Sequence, residues 1–322
     1  MRFAVPLALA LAAALLAPLA GAHEGDWEDD GRRLEVERDA DGFELRSDRV
    51  EAGVHDRIRF RLEGQNVEFR FELLSSPDST ELEADLNVRL ERIVEFRDDG
   101  DGRLGPGDEI VQEFDRSDLD LQGLAVENVT AGGVPGVQVT AAYAFGGSGA
   151  LALRVTAFGN VTTFQGLEQS PVQIKLDLLL DDFPFVDTDT QPAIEMRAKA
   201  EAPDGPSLPA NGISFTAGNL TAAFSWKTTA LVDGVETPVG TTVTQLPDQP
   251  PEATLSVTFA YVRGTAIEHD PTFGFLRAAA AGILPGVTIL GNWAFYAIGG
   301  VAALALVLPF AVVRRGRKAK GP

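Results

Sequence analysis

The stretch that decides the fold is Leu82-Glu83-Ala84-Asp85-Leu86-Asn87-Val88-Arg89-Leu90. Apolar and polar residues alternate through all nine positions. A strand sends successive side chains to opposite faces, so this period of two builds one apolar and one charged face. A helix would scatter the same residues around its axis. Continued in phase, the pattern puts Arg92 on the apolar side, with Val94 and Phe96 beyond it. That conflict predicts a β-bulge or a strand edge near Arg92.

The same period recurs on both sides. Ile58, Phe60 and Leu62 alternate with Arg57, Arg59, Arg61 and Glu63, and Val67, Phe69, Phe71 and Leu73 alternate with Glu68, Arg70 and Glu72. Gly64-Gln65-Asn66 between them reads as a hairpin loop that would set arginines opposite glutamates. Further strands are expected at Leu34–Arg38, Phe43–Asp48, Val137–Phe145, Leu151–Phe158, Val172–Leu180, Ile194–Glu201, Gly212–Phe215, Leu220–Lys227 and Leu255–Arg263. Turn-formers such as Asp41-Gly42, Gly146-Gly147 and Asp233-Gly234 separate them. No part of the middle holds a 3.6-residue apolar period. The expected fold class is all-β, an antiparallel β-sandwich ectodomain followed by a C-terminal single transmembrane α-helix. Residues 23–292 are read as one extracellular domain, with an internal boundary conceivable near residues 202–210.

The ends carry targeting signals. Met1-Arg2, an apolar run from Val5 to Leu19 and the small residues Ala20-Gly21-Ala22 read as a signal peptide over residues 1–22. Trp293 to Val313 contains no charge and is long enough to cross about 30 Å of hydrocarbon. Arg314, Arg315, Arg317, Lys318 and Lys320 follow in residues 314–322, so the positive-inside rule makes that tail cytoplasmic. The protein is expected in the plasma membrane as a single-pass chain, N-terminal domain outside, held to the bilayer by its C-terminal helix. The apolar segment from Phe273 to Leu290 reads as a last strand or a juxtamembrane segment.

Charge and composition exclude several functions. The 322 residues hold 27 Lys+Arg against 47 Asp+Glu, a net charge of -20. Six of the basic residues lie in the two terminal segments, where there is no acid, so the middle is more acidic still. Such a surface repels phosphate, which argues against a nucleic-acid partner. The absence of cysteine removes disulfides, thiolate metal sites and cysteine nucleophiles.

One segment carries metal-binding chemistry: Arg97-Asp98-Asp99-Gly100-Asp101-Gly102-Arg103-Leu104-Gly105-Pro106-Gly107-Asp108-Glu109. It resembles the calcium loop of EF-hand and dockerin modules, which offers oxygens at positions 1, 3, 5, 7 and 12 and a glycine at 6. With Gly102 at position 6, Asp99 and Asp101 take positions 3 and 5. The Arg103 carbonyl takes 7, Leu104 the apolar position 8 and Asp108 position 12. Arg97 stands at position 1, where the pattern departs, so Asp98 would have to swing in or Glu95 reach across. The candidate metal residues are Asp98, Asp99, Asp101 and Asp108, with calcium as a structural clamp between two strands. Asp181, Asp182, Asp187 and Asp189 around Phe183-Pro184-Phe185 form a second acidic group, read as a solvated loop with apolar anchors or a second cation site.

Enzyme signatures are missing: no His-Glu-x-x-His, no Gly-x-Ser-x-Gly, no phosphate-binding loop. The expected function is therefore non-enzymatic: surface structure, adhesion or binding of an extracellular protein or glycan ligand. The alternative is an extracellular-face enzyme, either a hydrolase using paired carboxylates or a copper protein using His23 as the mature N-terminal residue. Copper would need His55 or His269 beside it. Asn128-Val129-Thr130, Asn160-Val161-Thr162 and Asn219-Leu220-Thr221 are N-glycosylation sequons.

Overall fold

The computed structural model describes residues 27–277 except 30–31, 39–41, 52–53, 64–66, 75–81, 166, 170–172, 202–205, 218–219 and 248–251. The expected signal peptide, transmembrane helix and basic tail, together with His23 and Asn219, lie outside the described residues. All described residues belong to one compact unit, Met1–Ala278.

The described chain is nearly all strand, and every ladder is antiparallel. A four-stranded sheet takes its strands in chain order: β1 (Trp27–Asp29), β2 (Arg32–Arg38), β3 (Gly42–Glu51) and β4 (Val54–Glu63). A second sheet is centred on β6 (Leu82–Arg97), between β5 (Glu68–Leu74) and β14 (Gln191–Glu201). β21 (Glu252–Ala260) and β20 (Gly240–Gln245) extend it past β14, and β7 (Glu109–Asp115) pairs with the end of β6. The largest sheet runs β15 (Pro206–Ser207), β16 (Gly212–Ala217), β17 (Leu220–Trp226), β23 (Pro271–Arg277), β13 (Gln173–Asp181), β10 (Gly149–Phe158), β9 (Val134–Phe145) and β8 (Asp120–Ala131). β18 (Thr229–Val232), β19 (Val235–Pro238) and β22 (Ala266–His269) branch from β13. A small hairpin, β11 (Thr162–Phe164) with β12 (Leu167–Gln169), stands apart.

The apolar faces meet across one core. Leu86, Val88 and Leu90 of β6 share it with Leu151, Leu153 and Val155 of β10 and Ile174, Leu176 and Leu178 of β13. Aromatic rings fill this core: Phe224 stacks on Phe273 within the large sheet at 4.4 Å, and Trp226 meets Phe259 of β21, in the second sheet, edge-on at 5.4 Å. Each such side chain contributes roughly 1.5–3 kcal/mol by leaving water. The result is the sandwich-like, all-β arrangement that the period of two demands.

The bulge expected near Arg92 sits one residue earlier. On β14, Glu195 faces Arg92 and Met196 faces Leu90, so Glu91 is the extra residue. The bulge inverts the phase of β6. Leu90 and Ile93 both face the main core, while Arg92 turns outward to Glu195 at 2.7 Å and Glu113 at 2.6 Å. Beyond it both faces are buried: Val94 and Phe96 join Leu104, Ala193 and Ala260 in a second core, and Glu95 lies buried on the other face.

One expected pairing differs. Among the described residues β4 and β5 do not share a ladder; β4 pairs with β3 and β5 with β6. Both strands carry an apolar face that must reach the core. Both reach it, with Phe60 of β4 and Phe69 of β5 meeting at 5.0 Å in the main core. Glu68 therefore accepts a hydrogen bond from Asn87 of β6 instead of lying opposite an arginine of β4.

The register also sorts the loops by end. The β9–β10 turn at Gly146-Gly147, the end of β13 at Asp181, the start of β22 at Ala266 and the β18–β19 turn at Asp233-Gly234 share one end of the large sheet. Ion pairing of Arg97 with Asp187 ties the end of β6 to the same region. At the opposite end, Leu220 faces Arg277, where the described chain leaves the sheet.

Candidate functional site

The candidate site is built where β6 leaves the second sheet. Its loop turns sharply because Gly100 and Gly102 take φ of 110° and 71°, conformations open mainly to glycine. Leu104 anchors it by entering the second core beside Val94 and Phe96. Gly240 at the start of β20 allows close approach: a Cβ there would lie 1.7 Å from the Gly102 carbonyl oxygen.

Within the loop, Asp98, Asp99 and Asp101 bring one carboxylate oxygen each within 4.8 Å of one another. Asp99 and Asp101 are exposed and Asp98 is half-buried. The Asp98 carboxylate accepts the Gly102 N–H at 3.0 Å and the Gln191 amide at 3.3 Å. Asp101 accepts the Arg103 N–H at 2.8 Å. Asp108 lies outside this trio. Its Oδ1 accepts the Asp99 N–H at 3.0 Å and its Oδ2 the Gly105 N–H at 2.6 Å, closing the loop on itself.

The two side chains considered for position 1 behave differently. Arg97 forms ion pairs with Glu109 and Asp187. Glu95 is fully buried and accepts the N–H groups of Val186 and Asp187, each at 3.0 Å, and the Thr190 hydroxyl. Both oxygens of Glu95 thus hold the neighbouring loop, and Asp98 alone joins Asp99 and Asp101. The trio fits a hard cation: oxygens on opposite sides of a calcium ion at about 2.4 Å stand roughly 4.8 Å apart.

The second acidic group is the loop that Glu95 holds. Phe183 is buried against Phe114 and Phe145 at 5.9 Å, confirming the apolar anchor. Arg263 lies over the Phe185 ring at 3.8 Å and donates to the Asp187 carbonyl at 2.5 Å. The N–H groups of Asp189 and Thr188, and after them the Arg97 guanidinium, stabilise the Asp187 carboxylate and hold its pKa below the ordinary carboxylate value. Asp181 moves the other way, up to about 6, through burial and then the charges of Asp182 and Glu268. Sequence reading treats the two acidic loops separately; Arg97 and the Gln191–Asp98 bond make them neighbours.

An open depression of about 480 Å³ beside them is lined by Ser148, Asp182, Phe183, Phe185, Arg263, Gly264 and Thr265. It offers one carboxylate and no second acid facing it. His269 has both ring nitrogens engaged: Nε2 donates to the Lys227 carbonyl at 2.8 Å, which leaves Nδ1 to accept the Tyr261 hydroxyl at 3.1 Å. Burial lowers its pKa to about 4, so the ring is neutral and has no lone pair free for copper.

A further polar group was not legible from sequence. Lys175 and Asp177 are fully buried on β13 and form an ion pair. The run Val172–Leu180 reads as an alternating strand, yet on β13 (Gln173–Asp181) the second face is covered too.

No protein-family model matches the chain, and no curated protein matches it.

Proposed function

We propose that the protein is an exported, non-catalytic β-domain for surface structure or for adhesion to a protein or glycan ligand. In this reading residues 293–313 hold it in the plasma membrane, the domain lies outside, and residues 314–322 lie in the cytoplasm. Calcium bound at Asp98, Asp99 and Asp101 clamps the loop between β6 and β7. The Arg103 carbonyl and water complete the six to eight oxygens that calcium takes.

The observation that carries this reading is the convergence of those three carboxylates in a loop already closed by Asp108. Three like charges so close repel one another unless a cation or solvent screens them. Two features support a binding or structural role over an enzymatic one. The depression beside the loops holds a single acid, and the one described histidine ring is committed to the core. The loops also gather together at the end of the large sheet opposite Arg277.

The test is a calcium titration of the purified full chain during thermal unfolding. A ligand that binds only the folded state stabilises by mass action, about 2.7 kcal/mol at a hundredfold excess over its dissociation constant. The midpoint should rise with millimolar calcium and fall back with chelator. An unchanged midpoint would refute the clamp.

A further inference from the structure

On β13, Ile174, Leu176 and Leu178 face the main core, so Lys175 and Asp177 face the other side of the sheet. That side is also closed. Lys175, Asp177 and, across the ladder, Thr156 are all 0% exposed. Phe158 lies on the same face of β10, and the β11 ring Phe164 meets it at 5.1 Å. A lysine amine and an aspartate carboxyl are thus sealed together, two residues apart on one strand.

Their surroundings are buried and charged. Burial pushes the Lys175 ammonium below its ordinary range, against the pull of Asp270. Asp177 Oδ2 has no hydrogen-bond donor among the described residues, although it is buried. A second cation, Arg154, stands directly opposite on β10 with Nη1 3.7 Å from Oδ2. Asp270 Oδ1 stands 3.6 Å from Lys175 Nζ. Burial works against the charge of Asp270, and the ion pair with Lys227 outweighs it, so this carboxylate stays ionised.

We propose that Lys175 and Asp177 join in an intramolecular isopeptide bond. A proton passes from the ammonium to the Asp177 carboxylate, which removes two opposite charges from a low-dielectric site. The neutral Nζ attacks Asp177 Cγ. Oδ2 takes up the negative charge, facing the Arg154 guanidinium. Asp270 accepts the proton lost by nitrogen and returns it to the departing oxygen. One C–N bond forms, one C–O bond breaks and one water leaves; no oxidant, reductant or co-reactant is needed. Proximity does the work here, since the two groups are held in contact by the strand itself. The bond closes a small ring between alternate side chains of β13. It also replaces a buried ion pair by a neutral amide.

The experiment is peptide mapping of the denatured full chain with trypsin and mass spectrometry. Trypsin cannot cut after an acylated lysine. The proposal expects an uncut peptide spanning residues 155–197, lighter by one water, with fragmentation placing the loss across Lys175 and Asp177. It also expects the loss to vanish in Lys175→Arg. Separate peptides 155–175 and 176–197 at full mass overturn the proposal. A link from Lys175 to the peptide 264–277 overturns the assigned roles by making Asp270 the acyl donor. A water loss that persists in Lys175→Arg also overturns it, because Asp177 would then have dehydrated alone. The map of the unsubstituted chain decides between these outcomes whether or not the variant folds.

Discussion

Glu95 Oε1 accepts the backbone N–H of Asp187 at 3.0 Å, while the Asp187 side chain pairs with Arg97, two residues further along the strand of Glu95. One strand end thus grips one loop by both its backbone and its side chain. Glu95 carries the heavier share because it is buried, with two backbone donors and a hydroxyl on its two oxygens.

Replacing Glu95 by Gln tests that grip. The glutamine amide keeps one acceptor oxygen and points a donor at a backbone N–H that needs an acceptor. Hydrogen bonds to a charged acceptor contribute about 1.5–3 kcal/mol, and a buried donor left unmatched costs about 1–3. Glu95→Gln should lose about 2–4 kcal/mol in urea unfolding, with an unchanged slope. Arg97→Gln, at the solvent-screened end of the same link, should cost far less than Glu95→Gln. Equal effects would mean that the buried carboxylate does not anchor the loop.

His269 predicts an acid limit. Its folded pKa is about 4 because the ring is buried, against an ordinary 6.5. The unfolded chain binds a proton first as pH falls, so the stability from this group is complete above pH 6.5. It is lost between 6.5 and about 4, to the extent of about 3 kcal/mol. Asp181 opposes this, since its raised pKa of about 6 makes the folded state bind a proton before the unfolded one. The clean measurement is therefore a difference. Unfolding free energies of His269→Gln should depend on pH less steeply between 6.5 and 4 than those of the unsubstituted chain. Parallel curves would exclude His269 as the source.

Gly240 marks where a backbone must pass close by. A methyl group there would meet the Gly102 carbonyl oxygen at 1.7 Å, and backbone cannot swing aside like a long side chain. Gly240→Ala should cost about 1–3 kcal/mol, the range of an overpacked site. It should also weaken any calcium response by shifting the loop. Hydrogen exchange of the Gly102 and Arg103 amides would report that shift directly.

The elements legible in the sequence are those with an unbroken period of two. β6 reads clearly up to Leu90, and the clash of Arg92 with the phase announces the bulge at Glu91. β8 is hidden for the same physical reason. Its register slips between Leu121 and Gly123, so Leu121 and Leu124 do not alternate. β20 is polar and lies at an edge, which leaves no periodic signal. The acidic loop declares itself through residue type, but three facts need the third dimension: that Asp98 joins the trio, that Glu95 serves another loop, and that Asp108 braces backbone. The Lys175–Asp177 pair is hidden because local sequence cannot show what covers the second face of a strand.

Asp108 and Asp99 separate bracing from cation binding. Both occupy ligand positions of the loop pattern, but Asp108 spends its oxygens on the Asp99 and Gly105 N–H groups, whereas the Asp99 carboxylate stands beside those of Asp98 and Asp101. Asp108→Asn keeps one acceptor oxygen and loses the other, so it should destabilise the calcium-free domain by about 1–2 kcal/mol. Asp99→Asn removes one of three crowded like charges. The calcium-free domain should then be as stable as before or slightly more so, because the repulsion falls. Its calcium-dependent rise in unfolding midpoint should shrink by half or more. Two melting series, with calcium and with chelator, read both effects. If Asp99→Asn lowers the calcium-free midpoint and leaves the calcium-dependent rise intact, its carboxylate is a structural acceptor and the trio holds no ion.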